Sequence, residues 1–130
     1  IISLHMPLLE STRHFVNAET IAKMKDGVTI INCARGELMN IPDMIRGIET
    51  QKIGALALDV FDKEDGIYHE NRRDDILSNR DMAYLRQFPN VIMTQHMAFY
   101  TDAAVQSMVF CGIEGLCDFA KTGHTETELV

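Results

Sequence analysis

The sequence predicts an α/β fold whose core is the second half of a doubly wound parallel sheet. Four short apolar runs, rich in β-branched residues, alternate with segments of helical character along the 130 residues. Within these runs polar and apolar residues hardly alternate, which is typical of strands that are buried on both faces of a parallel sheet. Because strands that alternate with helices build such sheets, the order of the elements predicts the α/β class.

The four predicted strands are bounded by residues that interrupt a ladder or form a turn. Met6-Pro7 ends the first strand, because proline cannot donate a hydrogen bond to a central ladder. Asp26-Gly27 precedes the second strand and Pro89-Asn90 the fourth, and both pairs are typical of turns. The strands are predicted at residues 1–5, 28–33, 55–60 and 91–94.

Capping residues place the helices between and after these strands. Asn17, Asn40 and Thr101 carry side chains that can accept hydrogen bonds from the free N–H groups of a helix N-terminus. Gly123 is a typical residue at a helix C-terminus. Helices are therefore predicted at residues 18–25, after Asn40, at residues 81–87 and from Thr101 to Gly123. Residues 61–80 form a long polar stretch, and a loop of this length is usually functional or disordered.

The composition excludes several classes of protein. With 46% hydrophobic and 24% charged residues, the chain fits one soluble globular domain at most. A net charge of −7 without a basic cluster argues against nucleic-acid or membrane partners, and no apolar run approaches the roughly 20 residues of a membrane span. Three cysteines without a C-x-x-C pair predict buried thiols in a reducing, cytoplasmic compartment. The chain begins inside an apolar run without Met, as expected of a fragment.

Polar side chains follow each predicted strand. His5 ends the first, Arg35 follows the second, Asp59 and then Glu64 follow the third, and His96 follows the fourth. The carboxyl ends of parallel strands lie along one edge of a sheet, and ligands of doubly wound folds bind there. We therefore expect a cation, two carboxylates and one or two imidazoles to gather in one crevice.

Each of these residues has a structural and a functional interpretation. Arg35 is either a surface residue in a turn or, beyond a buried strand, a bidentate ligand for a carboxylate. His96 either caps the following helix or transfers a proton near neutrality, with Glu64 as its partner. Asp59 either forms a turn or cap, or meets a polar ligand, since a buried carboxylate needs donors.

Other candidates have weaker support from the pattern. Cys33 is expected to be a buried small residue more often than a nucleophile. Phe99 and Tyr100 could line an apolar pocket for a substrate side chain, or equally fasten the last helix to the sheet. His5 is expected to be structural. His69 falls in a predicted loop, where no partner for it can be named.

Four linked motifs along the whole chain resemble, in order and spacing, the signatures of NAD-dependent D-2-hydroxyacid dehydrogenases. The motifs are His5-Met6-Pro7-Leu8 through Thr12, Asn32-Cys33-Ala34-Arg35-Gly36-Glu37-Leu38, Leu58-Asp59-Val60-Phe61-Asp62-Lys63-Glu64, and Thr94-Gln95-His96. Two further segments resemble the D-lactate dehydrogenase branch, namely Ala98-Phe99-Tyr100-Thr101 and Asn71-Arg72-Arg73-Asp74-Asp75. Gln95 and Asp65 stand where the wider family often has proline, which fits that branch.

The resemblance implies a Rossmann-type sheet and a role for each matching residue. Arg35 would bind the substrate carboxylate, His96 would donate a proton to the ketone as NADH delivers hydride, and Glu64 would hold His96 protonated. Residues matching cofactor contacts of the family are Met6, Pro7, Thr12, Cys33, Ala34, Arg35 and Asp59. No metal is implied, and H-E-x-x-H or H-x-x-x-H spacing for a metal hydrolase is absent.

The resemblance also implies how the chain divides. Residues 1–100 would be the carboxyl-terminal half of the NAD-binding domain, and residues 101–130 a connecting helix and tail belonging with a substrate domain. There is no G-x-G-x-x-G turn for a pyrophosphate, so we expect the chain alone to bind NAD weakly and to be inactive. Full-length members are usually homodimers.

The resemblance leaves two functions open. The first is reduction of pyruvate or a branched or aromatic 2-oxo acid to the D-2-hydroxy acid. The alternative is an NAD-sensing corepressor built on the same scaffold, which would keep the same three catalytic positions. NAD and NADP are not distinguished, since no residue that reads the adenosine ribose is identified in these 130 residues.

Overall fold

The computed structural model describes residues 1–64, 66–69, 71 and 79–127, which fall into two compact units. The first unit is Ile1–His96 and the second is Met97–Val130. The predicted division at residues 100 and 101 lies close to this boundary and stays a prediction. Asp65, residues 72–78, which include most of the lactate-branch loop motif, and the last three residues of the predicted tail lie outside the described residues.

The first unit is built on a four-stranded parallel sheet, as the sequence predicts. The strands are β1 (Ile2–Leu4), β2 (Val28–Asn32), β3 (Ile53–Leu58) and β4 (Val91–Met93), and they lie side by side in chain order. Leu4 pairs with Asn32, and Asn32 pairs with Leu58, so these three strands end at the same level. Because Leu58 pairs with Met93, β4 ends there as well.

Three helices belong to this unit. They are α1 (Ala18–Lys23), α2 (Ile41–Glu49) and α3 (Arg80–Leu85). Of these, α2 packs on β3, and the other two pack against α2. The predicted caps are confirmed: the Asn17 side chain accepts from two backbone N–H groups, and the Asn40 side chain accepts from one. α1 ends two residues earlier than predicted, because the backbone of Met24 is already extended.

The predicted burial of the cysteines is wrong. Cys33, Cys111 and Cys117 are all exposed. Cys33 comes directly after Asn32, the last residue of β2, and so lies in the turn beyond the strand rather than inside the sheet. The other two lie on α4 (Asp102–Thr122), which has no buried residue in the second unit.

Helix α4 dominates the second unit and has the ends that the sequence predicts. Thr101 caps it, and Gly123 ends it in the left-handed conformation with φ 73°. By length and composition alone, this is the one helix in the described part of the chain that could cross a membrane, with a mean hydropathy of 1.2. That is weak support for a membrane span, because core helices of other proteins meet the same criterion.

One close approach joins the loops that follow β2 and β3. A Cβ atom placed on Gly36 would lie 2.1 Å from the carbonyl carbon of Phe61 and 2.4 Å from the backbone nitrogen of Asp62. Atoms of main chain cannot rotate away, so only glycine fits at this position. At Gly47 a Cβ would instead lie 2.5 Å from the Cδ1 atom and 2.9 Å from the Cγ1 atom of Ile53, both in a side chain.

We expect Gly36→Ala to destabilise the protein much more than Gly47→Ala does. The first substitution forces two main-chain segments apart, at a cost of about 3 kcal/mol, whereas the second displaces the end of one side chain and costs about 1 kcal/mol. Urea unfolding of both variants, monitored by circular dichroism, measures the difference. Equal free energies of unfolding for the two variants would contradict the assigned contact.

Candidate active site

The turn after β2 is shaped by a buried asparagine. Asn32 is 0% exposed, its Nδ2 atom donates to the backbone oxygen of Arg35 at 2.8 Å, and its Oδ1 atom accepts from the N–H of Ala34 at 3.0 Å. Both bonds fold the chain back over the end of the strand. Sequence reasoning did not assign this role, although a polar residue that ends an apolar strand was a usable signal.

The same turn presents Arg35 to solvent. The residue is exposed, and its Nη1 atom donates to the backbone oxygen of Ala34 at 2.7 Å. Among the residues that the structure describes, no carboxylate forms an ion pair with Arg35. Because a guanidinium has five N–H donors, the side chain can still bind a carboxylate through two parallel hydrogen bonds.

Glu64 and His96, which the sequence predicts as partners, lie together. Glu64 Oε1 is 2.5 Å from His96 Nδ1, and the side chains are 21% and 33% exposed. The second carboxylate oxygen of Glu64 accepts from the backbone N–H of Phe61 at 2.8 Å. Since an ionised carboxylate can only accept, Nδ1 carries the hydrogen and Nε2 is the ring nitrogen left for a ligand.

The backbone of His96 is held in an uncommon conformation. Its φ is 54°, in the left-handed region, and its N–H donates to the backbone oxygen of Asp59 at 2.6 Å. Non-glycine residues at positive φ cluster at functional sites, where the surrounding contacts maintain them. The bond to Asp59 therefore sets the direction in which the chain, and with it the imidazole, leaves β4.

Asp59 connects the ends of three strands. The residue is 4% exposed, and Thr94 Oγ1 donates to its Oδ1 atom at 2.5 Å. Its backbone N–H donates to the backbone oxygen of Asn32 at 3.0 Å. Asp59 thus ties the end of β3 to β2 through its main chain and to the segment after β4 through its carboxylate.

The remaining predicted residues occupy three other places. His5 lies beside Ser3, with 2.7 Å between Nε2 and Oγ, and no contact joins it to Glu64 or His96 among the described residues. The loop after β1 is closed by Thr12, whose hydroxyl donates to the backbone oxygen of Pro7 at 2.8 Å. Further predicted residues are placed as follows: Met6 packs against the core of the first unit, and Phe99 and Tyr100 meet edge to face in the second unit, at 6.1 Å between ring centroids.

Two neighbours of the acid–base pair were missed by sequence reasoning. Tyr68 is half-buried against the core, and burial first, followed by the charges of Glu64 and Asp59, raises the pKa of its hydroxyl to about 12, although Arg86 acts in the opposite sense. The ring of His69, for which the sequence names no partner, lies 6.3 Å from that of His96. Tyr68 follows Glu64 by four residues and His69 by five, but their position beside His96 depends on how this loop returns to the sheet.

Comparison with known proteins places this site in a family. Residues 1–98 match the family described as D-isomer specific 2-hydroxyacid dehydrogenase, NAD binding domain. The chain belongs to this family. It is 42% identical, over all 130 of its residues, to an aromatic 2-oxoacid reductase of Clostridium sporogenes and covers 39% of that protein.

Solved structures agree with the family in fold. A D-lactate dehydrogenase from Treponema pallidum superposes with a TM-score of 0.93 at 31% identity. The match covers 99% of this chain and 39% of the Treponema chain. A D-isomer specific 2-hydroxyacid dehydrogenase from Lactobacillus delbrueckii, solved in its NAD-complexed form, gives a TM-score of 0.87 at 30% identity, with 98% and 39% coverage. The predicted family and Rossmann-type fold are confirmed, and the chain spans about two fifths of these relatives.

The edge of the sheet fits one end of a dinucleotide. The exposed side chains of Cys33 and Arg35 lie beyond β2, and the buried carboxylate of Asp59 lies beyond β3, at the edge where doubly wound sheets bind ligands. The sequence has no G-x-G-x-x-G turn, so a pyrophosphate-binding turn of that type is not among its 130 residues. The polar groups at this edge therefore fit a part of NAD other than its pyrophosphate.

We expect the hydroxyl of Tyr68 to stay protonated until about pH 12, against an ordinary pKa of 10.0. A tyrosine whose pKa is higher in the folded than in the unfolded protein stabilises the fold below pH 10, and this contribution is lost as the pH rises toward 12. Ultraviolet titration of wild type and Tyr68→Phe isolates this hydroxyl. Loss of an absorbance step near pH 10 in the variant would contradict the burial of Tyr68.

Proposed function

We propose that the protein reduces a small 2-oxo acid to the D-2-hydroxy acid with NADH. The observation that carries the proposal is the Glu64–His96 couple, at 2.5 Å, at the carboxyl edge of the sheet of an NAD-binding domain of this family. A carboxylate-oriented imidazole at a ligand-binding edge is suited to proton transfer at neutral pH. The relatives are named reductases and dehydrogenases, so they lend no support to the corepressor interpretation.

Arg35 is the residue that binds the substrate carboxylate. Its side chain is exposed, and the turn that carries it is fixed from below by buried Asn32. A guanidinium pairs with a planar carboxylate through two parallel N–H donors, which fixes both position and orientation. In this role Arg35 fixes the orientation of the 2-oxo group of the substrate and polarises its carbonyl.

His96 is the acid that protonates the ketone. The carboxylate of Glu64 accepts from Nδ1–H and stabilises the imidazolium, so that Nε2–H points away from the couple and can donate to the substrate oxygen. Bound NADH supplies the hydride that reduces C2 of the substrate. In the oxidative direction, neutral His96 accepts the hydroxyl proton through the same nitrogen.

The residues on the cofactor side act by position. The loop that contains Met6, Pro7 and Thr12 is closed by a hydroxyl-to-carbonyl hydrogen bond and offers an ordered main chain. Cys33 and Ala34 lie in the turn held by Asn32, and Asp59 is fixed by Thr94. We propose that these segments border the nicotinamide and its ribose, in a cytoplasmic homodimer.

The substrate side chain is proposed to be apolar. The relatives include an aromatic 2-oxoacid reductase and D-lactate dehydrogenases. Their names indicate substrates whose side chains differ in size. Phe99 and Tyr100 present two aromatic rings, and an aromatic substrate would stack on them edge to face or offset. The 42% identity to the aromatic reductase favours the larger substrates.

We expect His96→Asn to lower kcat by about 10²- to 10⁴-fold, the usual contribution of a general acid. Asparagine tolerates the left-handed backbone of this position, so the fold is retained while the proton donor is lost. His14→Asn is the matched control, because His14 has a φ of 52° and forms no part of the couple. A variant that keeps more than about a tenth of wild-type kcat would refute the acid role.

We expect phenylpyruvate to be reduced with a higher kcat/KM than pyruvate, since a benzyl group buries more apolar area against aromatic rings than a methyl group does. Steady-state oxidation of NADH with pyruvate, 2-oxoisocaproate and phenylpyruvate ranks the substrates. Phe99→Ala should reduce the preference by lowering kcat/KM for phenylpyruvate more than for pyruvate. A wild-type preference for pyruvate, or a preference for phenylpyruvate that survives Phe99→Ala, would contradict the proposed pocket.

A further inference from the structure

A second imidazole lies beside the acid–base couple and has no role in the mechanism above. The ring centroid of His69 is 6.3 Å from that of His96, and the two ring planes are inclined by 42°. His69 is exposed, whereas the side chain of His96 is 33% exposed. An exposed imidazole therefore stands next to one that is only partly exposed.

The main chain holds His69 at this place through Glu64. The N–H groups of Ile67 and Tyr68 both donate to the backbone oxygen of Glu64, at 2.9 Å and 3.1 Å, and close one helical turn. His69 follows directly, with φ at 59° in the left-handed region. The residue that orients His96 through its side chain therefore also begins the turn that ends at His69.

Among the residues that the structure describes, the couple has no second path for a proton. Glu64 accepts from His96 through one carboxylate oxygen and from the N–H of Phe61 through the other, so it is fixed at both ends by donors. The hydroxyl of Tyr68, whose pKa burial raises to about 12, does not ionise near neutrality. Reprotonation of His96 must therefore occur at Nε2, the nitrogen from which the substrate accepts its proton.

We propose that His69 is the proton relay between solvent and Nε2 of His96; the proposal rests on the proposed reductase function. After each reduction His96 has lost its Nε2 proton to the substrate oxygen and is neutral. Protonated His69 gives an N–H proton to a bridging water, and that water gives one of its own protons to Nε2. His69, now neutral, recovers a proton from solvent, so that one proton enters for each product formed.

The geometry suits a single bridging water. Direct contact between the nitrogens would bring the ring centroids to about 5 Å, and the observed separation of 6.3 Å is longer. Polar groups separated by more than about 3.5 Å are commonly connected through one water. Imidazole is suited to the task because it gives and takes protons near pH 7 and can receive at one nitrogen while donating from the other.

The test uses the protein expressed from its complete reading frame and the variant His69→Asn, since asparagine accepts the left-handed backbone but transfers no proton. NADH oxidation by a saturating 2-oxo acid is followed by stopped flow in dilute buffer, and the first and later turnovers are compared. We expect the first turnover to match wild type, because the first reduction does not require His96 to be reprotonated. Later turnovers should slow about tenfold and recover when imidazole is added at constant pH and ionic strength.

The outcomes separate the relay from simpler roles. His14→Asn, a histidine at φ 52° elsewhere in the unit, should behave as wild type with and without imidazole. Later turnovers of His69→Asn that equal those of wild type, or that ignore imidazole, would overturn the relay. A first turnover slowed as much as the later ones would also overturn it, by making His69 a positioning residue. Absence of turnover in wild type with every 2-oxo acid would instead remove the proposed function.

Discussion

The site depends on the contact between the main chain at Gly36 and the peptide that joins Phe61 to Asp62. Without a side chain at Gly36, the loop after β2 and the loop after β3 meet backbone to backbone. The same junction includes the N–H of Phe61, which donates to Glu64. Arg35 and Glu64 are adjacent to opposite sides of this contact, so one steric constraint governs both the substrate-binding cation and the carboxylate that orients His96.

A second layer of support comes from polar groups buried at the strand ends. Asn32 and Asp59 are the two buried polar residues of the described chain, and both follow or end an apolar strand. Asn32 bonds to two main-chain groups, and Asp59 accepts a hydrogen bond from the hydroxyl of Thr94. Because such bonds are lost if the loops shift, the edge of the sheet is a preformed surface rather than a flexible one.

Local sequence patterns were sufficient to predict the helices and strands. Capping side chains, glycine at a helix end and β-branched runs each act over a few residues, so Asn17, Asn40, Thr101 and Gly123 could be assigned without knowledge of the fold. The rule for strand ends extended this to Arg35, Glu64 and His96. The exposure of the cysteines and the contact between His69 and His96 depend on how loops return to the sheet, which no local pattern encodes.

The left-handed backbone at His96 also has a genetic consequence. A histidine codon is one nucleotide away from codons for asparagine, aspartate, leucine and proline, among others. Asparagine and aspartate accept a φ of 54°, whereas leucine is strained there and proline is excluded by its ring. Spontaneous mutations at this codon therefore fall into two groups. One leaves a folded protein without its acid, and the other also destabilises the backbone at this position.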